Sequence, residues 1–241
     1  MNTPFVFRYR FWIFAAIFWT GFALNAVDHL PMGVAIAQLF VGVDGLDAPR
    51  GQIALHAVFG AGALCVVAAA ALRTWATAYL NTTVVHDAEL HSAALVAAGP
   101  YRYTRNPLYL GGTLLSIGFG TIAPRSGFVV IVVGVTLLEM ALIRSEEPLL
   151  LAAHPESFAA YCARVPRFIP SLTPRLPLAA SRPRWLQAYL GEAMFWIFAL
   201  GMVLLAITLN WKTAAIVAAA GLIFHILFIN LIRRRTAPPA A

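Results

Sequence analysis

Few side chains in this sequence are equipped for chemistry, and most of them fall in two short stretches. The first is Gly99-Pro100-Tyr101-Arg102-Tyr103-Thr104-Arg105-Asn106-Pro107-Leu108-Tyr109-Leu110-Gly111-Gly112, and the second is Arg144-Ser145-Glu146-Glu147. Adjacent carboxylates at the end of an apolar run repel one another and are costly beside lipid, so they call for a cation: Arg102, Arg105 or a positively charged ligand. Guanidinium, phenol and twin acids form a set for gripping a polar, charged molecule. Motifs of other chemistries are missing, since the sequence holds no G-x-S-x-G, no Walker loop and no G-x-G-x-x-G. His86-Asp87-x-Glu89-x-His91 offers ligands that suit zinc or iron. The other histidines (His29, His56, His154 and His225) are dispersed, and a membrane di-iron site needs several histidine boxes, so no metal is expected.

The elements that must hold these stretches are apolar. Of 241 residues, 61% are hydrophobic and 11% charged, against about 25% charged in soluble domains. Nearly uncharged runs of about 18 residues or more recur, the mark of membrane-spanning helices. The expected fold is all-α, a polytopic integral-membrane bundle with about six transmembrane helices, near residues 11–30, 52–72, 108–123, 127–143, 186–208 and 213–232. Residues 11–27 lack a small-residue cleavage site and read as an anchor helix, not a signal peptide. The third and fourth spans form a short hairpin turned at Ala123-Pro124-Arg125-Ser126-Gly127, each arm about 16 residues or roughly 24 Å long. A hairpin returns its ends to one side, which brings the arginine loop and the twin acids together.

Charge fixes the expected orientation. Of the 17 Lys and Arg, only Arg50, Arg125 and Lys212 fall on the side opposite the N-terminus, so both termini and both polar stretches should face the cytoplasm. The arginines are scattered through loops without a basic helix or an aromatic platform, and no nucleic-acid partner is expected. Cys65 and Cys162 form no disulfide or metal framework. His154-Pro155-Glu156-Ser157 reads as a helix start, and Phe158, Tyr161, Cys162 and Val165 recur at helical spacing, which predicts an amphipathic surface helix. Pro166, Pro170, Pro174 and Pro177 then form an extended linker, and the last two spans read as a separate hairpin.

Taken in order, Leu72-Arg73-Thr74-Trp75-Ala76, Leu95-Val96-x-x-Gly99-Pro100-Tyr101-Arg102-Tyr103-x-Arg105-x-Pro107-x-Tyr109-x-Gly111, Glu146-Glu147 and Phe158-x-x-Tyr161-x-x-x-Val165-Pro166-Arg167-Phe168-Ile169-Pro170 resemble the isoprenylcysteine carboxyl methyltransferase and phospholipid methyltransferase superfamily. The resemblance runs over about residues 50–171. It leaves 1–49 as an N-terminal anchor helix and loop, and 172–241 as linker and C-terminal two-helix hairpin.

The resemblance implies a membrane methyltransferase that uses S-adenosylmethionine, releases S-adenosylhomocysteine and takes a lipid or isoprenoid substrate from the bilayer at a cytosolic pocket. Carried over by position, Gly99, Pro100, Tyr101, Asn106, Pro107, Gly111, Glu146 and Glu147 are expected at the cofactor. Arg105, Tyr109 and Arg167 are expected at the reaction, and Arg164 and Trp75 at the substrate. The family usually has His where this chain has Asn106, and often a second His where it has Ala93, with His91 nearby but out of register. Asn hydrogen-bonds but does not titrate near neutral pH. With no base in view beyond Glu146, Glu147 and His91, a carboxylate acceptor, which needs no deprotonation, is favoured over an amine. A membrane NADPH-dependent double-bond reductase, which shares a similar arginine–tyrosine signature, and a non-catalytic scaffold are the alternatives. A bacterial inner membrane fits the arginine-rich, nearly lysine-free composition.

Overall fold

Prolines set most of the helix starts. In a computed structural model, which describes residues 5–80, 98–177 and 182–236, the α-helices are α1 (Phe5–Ala23), α2 (Met32–Val41), α3 (Pro49–Leu80), α4 (Pro107–Gly120), α5 (Arg125–Ala153), α6 (Pro155–Arg164), α7 (Trp185–Gly191), α8 (Ala193–Thr208) and α9 (Trp211–Thr236). Pro49, Pro107 and Pro155 open α3, α4 and α6, while Pro31 and Pro124 immediately precede α2 and α5. Proline lacks the N–H that a first helical turn leaves unpaired, and its ring fixes a helical φ. It also bars the preceding residue from helical geometry, which is why Asn106 sits at φ −127°, ψ 57° and the loop before α4 breaks cleanly. Short 3-10 turns at Leu24–Ala26 and Gly99–Arg102 complete the chain, and no strand occurs among the described residues.

The central helix is α3, about 48 Å long at 1.5 Å per residue, which packs along α4, α8 and α2, while α1 lies against α5 and α9 against α8. Its core face carries Phe59, Ala63, Val66, Ala69 and Ala70, which meet Leu115 of α4 and Ala199, Met202 and Leu205 of α8. Small residues let the backbones approach, which is where packing energy comes from when lipid is the solvent. Many large apolar side chains point outward, including Trp12, Trp19, Leu39, Phe40, Ile53 and Leu64. A belt of this size belongs against acyl chains. Two helices, α3 and α5, are long and apolar enough to cross a membrane, and α7 with α8, bent by 66°, makes a third if the pair is one span.

Three sequence expectations change. The fourth span does not stop at Ile143: α5 runs on to Ala153 through Pro148, so Glu146 and Glu147 stand on the helix itself. The span expected at 186–208 is broken, and Glu192 occupies the break between α7 and α8. The C-terminal pair is also not a separate unit, because α8 packs on α3 over much of its length. Helix α2, which the apolar runs did not separate, ties the N-terminal region to the far end of the hairpin. Met32 and Gly33 N–H donate to Ala123 and Thr121 O at 2.8 Å each.

Candidate active site

The polar loop before α4 is held by the segment that follows α6. Arg105 N–H donates to Pro166 O at 2.9 Å, Ser171 N–H to Tyr103 O at 2.9 Å and Arg175 N–H to Arg102 O at 2.9 Å. Side chains add to this: Arg102 Nε donates to Leu176 O at 2.8 Å, Thr104 Oγ1 to Phe168 O at 2.9 Å and Asn106 Nδ2 to Arg167 O at 2.8 Å. Tyr161, buried with Phe158 of α6 and with Val165 just past its end, donates its hydroxyl to Tyr101 O at 2.9 Å. At about 1 kcal/mol net for each bond, the set fixes a loop that has little regular structure of its own. Burial pushes the Tyr101 and Tyr161 phenols well above the usual tyrosine range, so both stay protonated and Tyr161 remains a donor.

The antiparallel run of α4 and α5 then sets the chemistry-bearing side chains against one another. Tyr109 OH donates to Glu146 Oε1 at 2.5 Å. Arg105 Nη1 lies 3.3 Å from Glu147 Oε1 and also donates to Cys162 Sγ, while Arg167 Nη2 lies 2.7 Å from Glu147 Oε2. The arginine loop and the twin acids do share one end of the hairpin. A further rung lies deeper, where Thr113 Oγ1 donates to Glu139 Oε2 at 2.5 Å.

These groups line a cavity of about 1150 Å³. Its polar end carries Arg105, Asn106, Tyr109, Glu146 and Glu147, with Arg10 of α1 and His154. The other end is walled by Phe14, Phe18 and Phe22 of α1, Phe119 of α4, and Phe195 and Phe198 of α8. Phe119 links the walls, with ring centroids 6.5 Å from Phe18, 6.2 Å from Phe22 and 5.2 Å from Phe198. Arg73 of α3 borders the cavity and holds α4 and α8 in place. Its Nε and Nη2 donate to Glu192 at 2.7 and 3.2 Å, its Nη1 donates to Leu108 O at 3.0 Å, and its guanidinium carbon sits 4.1 Å from the centre of the Phe195 ring.

The expected residues divide by place. Tyr101, Arg105, Asn106, Pro107, Tyr109, Glu146 and Glu147 line the cavity, and Arg167 reaches it through Glu147. Gly99 and Pro100 are buried under the loop. Gly99 holds φ +54° with the Tyr79 ring where a Cβ would stand. Gly111 faces the Arg73 side chain. Trp75 lies beside Tyr103, with the rings tilted and their centroids 6.0 Å apart, and is not part of the lining. Arg164 ends α6, exposed and away from the lining. His86, Asp87, Glu89 and His91 lie outside the described residues. Among the described residues, no group of three His, Cys, Asp or Glu is gathered as a metal site. Sequence reasoning missed Glu139, Arg73, Glu192 and the aromatic wall. Glu139 left a signal, as the one acid in the apolar stretch 108–143 and one heptad before Glu146.

Comparison with known proteins covers the same region. Residues 57–156 match the family described as phospholipid methyltransferase. Among curated proteins, the cobalt-zinc-cadmium resistance protein CzcN of Cupriavidus metallidurans is 33% identical over 113 residues, covering 46% of this chain and 49% of that protein. The nickel-cobalt-cadmium resistance protein NccN of Alcaligenes xylosoxydans xylosoxydans is 32% identical over 118 residues, covering 48% and 52%. The chain thus spans about half the length of the curated relatives it matches. No solved structure matches.

Proposed function

We propose that this chain, whose residues 57–156 match the family described as phospholipid methyltransferase, transfers a methyl group from S-adenosylmethionine to a lipophilic acceptor at the cytosolic face of a bacterial inner membrane. The observation that carries the reading is a cavity lined by ionic side chains in one part and by aromatic ones in another. Such a cavity suits a charged nucleoside meeting an apolar molecule.

The ionic end fits the cofactor. Arg105 Nε and Glu147 Oε1 are buried without a hydrogen-bond partner among the described residues, although the latter lies in ion-pair range of Arg105 Nη1. Buried polar atoms are normally satisfied, so both have capacity for a ligand. When bound, S-adenosylmethionine supplies an electrophilic methyl on a sulfonium that loses its positive charge on transfer. Glu146 and Glu147 would take the cofactor's amino and ribose hydroxyl groups, and Tyr109 orients Glu146. Arg105 and Arg167 neutralise Glu147 and keep it in place. The phenylalanine wall binds the acceptor's apolar body and keeps water from the reacting atoms. The carboxylate acceptor favoured by the sequence rested on the lack of a base. Glu139 inside the cavity removes that reason.

We keep six spans with cytosolic termini as part of this proposal. The NADPH-reductase and scaffold alternatives have no observation in their favour beyond those already given for methyl transfer. Calorimetry on the purified protein tests the choice. Binding of S-adenosylhomocysteine without binding of NADPH is expected, and the reverse would reject methyl transfer. Radiolabelled methyl from the cofactor, offered with a total lipid extract, should appear in an organic-soluble product.

A further inference from the structure

Glu139 is 1% exposed and borders the cavity two turns along α5 from Glu146, roughly 10 Å deeper along the helix axis. The two acids make matching rungs to α4, Tyr109 to Glu146 and Thr113 to Glu139. The match ends with the cations. Glu147, next to Glu146, has Arg105 and Arg167, whereas Glu139 has no Arg, Lys or His within ion-pair range among the described residues. Arg73 borders the same cavity but is engaged by Glu192 and Leu108 O. Room for the acid is built in. A Cβ at Gly112 would collide with Glu139 Oε1 and would lie 3.8 Å from the tip of the Phe14 ring. The carboxyl group therefore sits where the hairpin meets the aromatic wall. An unpaired acid inside an apolar bundle is expensive and is expected to serve a ligand or a proton, and no structural ion pair accounts for this one.

We propose that Glu139 takes the proton of the methyl acceptor, so that the acceptor carries an N–H or O–H head on an apolar body. The inference rests on the methyl-transfer reading and deepens it. The lone pair of the acceptor's nitrogen or oxygen forms the new bond to the methyl carbon. The carbon–sulfur bond of the S-adenosylmethionine-class donor breaks, with its electrons left on sulfur as a thioether. The acceptor's proton passes to Glu139, whose Oε2 is held by Thr113 while Oε1 lies against Gly112 at the edge of the cavity. An anionic acceptor brings no proton for Glu139 to take, which turns the preference away from carboxylates.

The test uses the full chain in lipid nanodiscs with dodecylamine, dodecanol and dodecanoate as probes. In Glu139→Gln, calorimetric affinity for S-adenosylhomocysteine should stay within about twofold of wild type, since Glu139 is not at the ionic end. Affinity for the protic probe that wild type uses should fall about tenfold or more, with dodecanoate unchanged or tighter. Methyl transfer to that probe should fall about 10²–10⁴-fold, with partial recovery in Glu139→Asp. Which of the amine and alcohol is methylated identifies the head. A second measurement needs no variant: dicyclohexylcarbodiimide, which attacks carboxyl groups in apolar sites, should modify Glu139, as mapped by peptide mass spectrometry, and the protic probe should protect it. Unchanged affinity for both amine and alcohol in Glu139→Gln overturns the proposal, as does a Glu139 that is unmodified or modified without protection. Failure of wild type to bind S-adenosylhomocysteine would instead sink the methyl-transfer reading, and probe affinity and protection distinguish the two failures.

Discussion

Glu147 answers two arginines whose surroundings differ, and the difference decides what each pair is worth. Side-chain exposure is 12% for Arg105, 13% for Glu147 and 49% for Arg167. The Arg105 pair is mostly desolvated, so removing its anion leaves a buried charge uncompensated, whereas Arg167 can turn to water. Glu147→Gln should therefore cost about 1–3 kcal/mol and Arg167→Ala under about 1 kcal/mol, read as melting of the detergent-solubilised protein. Equal losses would mean that Arg105 is solvated and the site less closed than described. The same residues mark what could be read from the sequence. Arg105, Tyr109, Glu146 and Glu147 were legible because a loop and an acid pair at the two ends of one hairpin have to meet. Arg164 and Arg167 lie so close in sequence that both were expected at the site. Arg164 belongs to the exposed end of α6, while Arg167 follows Pro166, with its carbonyl held by Asn106, and turns to Glu147.

Among the helices, one ion pair binds the C-terminal hairpin to the core. Glu192, 8% exposed at its side chain, takes both Nε and Nη2 of Arg73 and also the Thr77 hydroxyl at 2.8 Å, from the bend between α7 and α8. Trp196 Nε1 donates to Thr74 Oγ1 at 2.9 Å one turn further on. A buried pair contributes little net stability when intact but is costly when half of it is removed. Glu192→Ala should therefore destabilise by about 3–5 kcal/mol, and Arg73→Leu with Glu192→Ala by less than the sum of the single changes. A melting series over the four proteins checks this, and strict additivity would show that the two side chains do not interact. Apolar periodicity placed most of the helices. It could not show that α8 belongs on α3, since Arg73 and Glu192 lie far apart in the chain and a lone glutamate before an apolar run reads as a headgroup-level acid. Nor could it show that α5 outlasts its apolar run, because the helix continues through charged residues and Pro148.

At the scale of the whole molecule the two ends of the hairpin are fixed differently. Away from the cavity mouth, Asp28 accepts from Ser126 N–H at 3.0 Å and pairs with Arg125 at 3.1 Å, which fastens the α1–α2 link to the start of α5. These contacts, the Ser126 N–H first and then Arg125, hold the Asp28 carboxyl below its ordinary value of 3.8. A depressed folded-state value means that the stabilisation is complete above the unfolded value and lost as pH falls through the folded one. Wild type should thus lose melting temperature below about pH 4. Asp28→Asn should melt lower at neutral pH and show a shallower acid dependence. Identical pH profiles would remove Asp28 from the account.

The cavity itself is assembled from parts that no single stretch of sequence contains. Its ionic end comes from the family-matched core, but its wall draws Phe14, Phe18 and Phe22 from α1 and Phe195 and Phe198 from α8, on either side of residues 57–156. If the chain transfers methyl groups as proposed, most of the acceptor's wall comes from segments outside the one that would bind the cofactor, and a change in the wall should alter acceptor choice without altering cofactor binding. Phe198, whose ring centroid is 5.2 Å from that of Phe119, belongs to the aromatic part of the wall. Phe198→Ala removes a large aromatic side chain, costing about 3–5 kcal/mol if the space stays empty. A longer acceptor that fills the space should recover part of that loss. Measured over a series of acceptors of increasing alkyl length, kcat/KM for Phe198→Ala should peak at a longer chain than wild type and change in ratio by about tenfold, since each buried methylene is worth about 0.8 kcal/mol. Affinity for S-adenosylhomocysteine should not move. An unchanged length profile would mean that the acceptor's tail lies elsewhere, and a matching loss of cofactor affinity would mean that the two ends of the cavity are not separable.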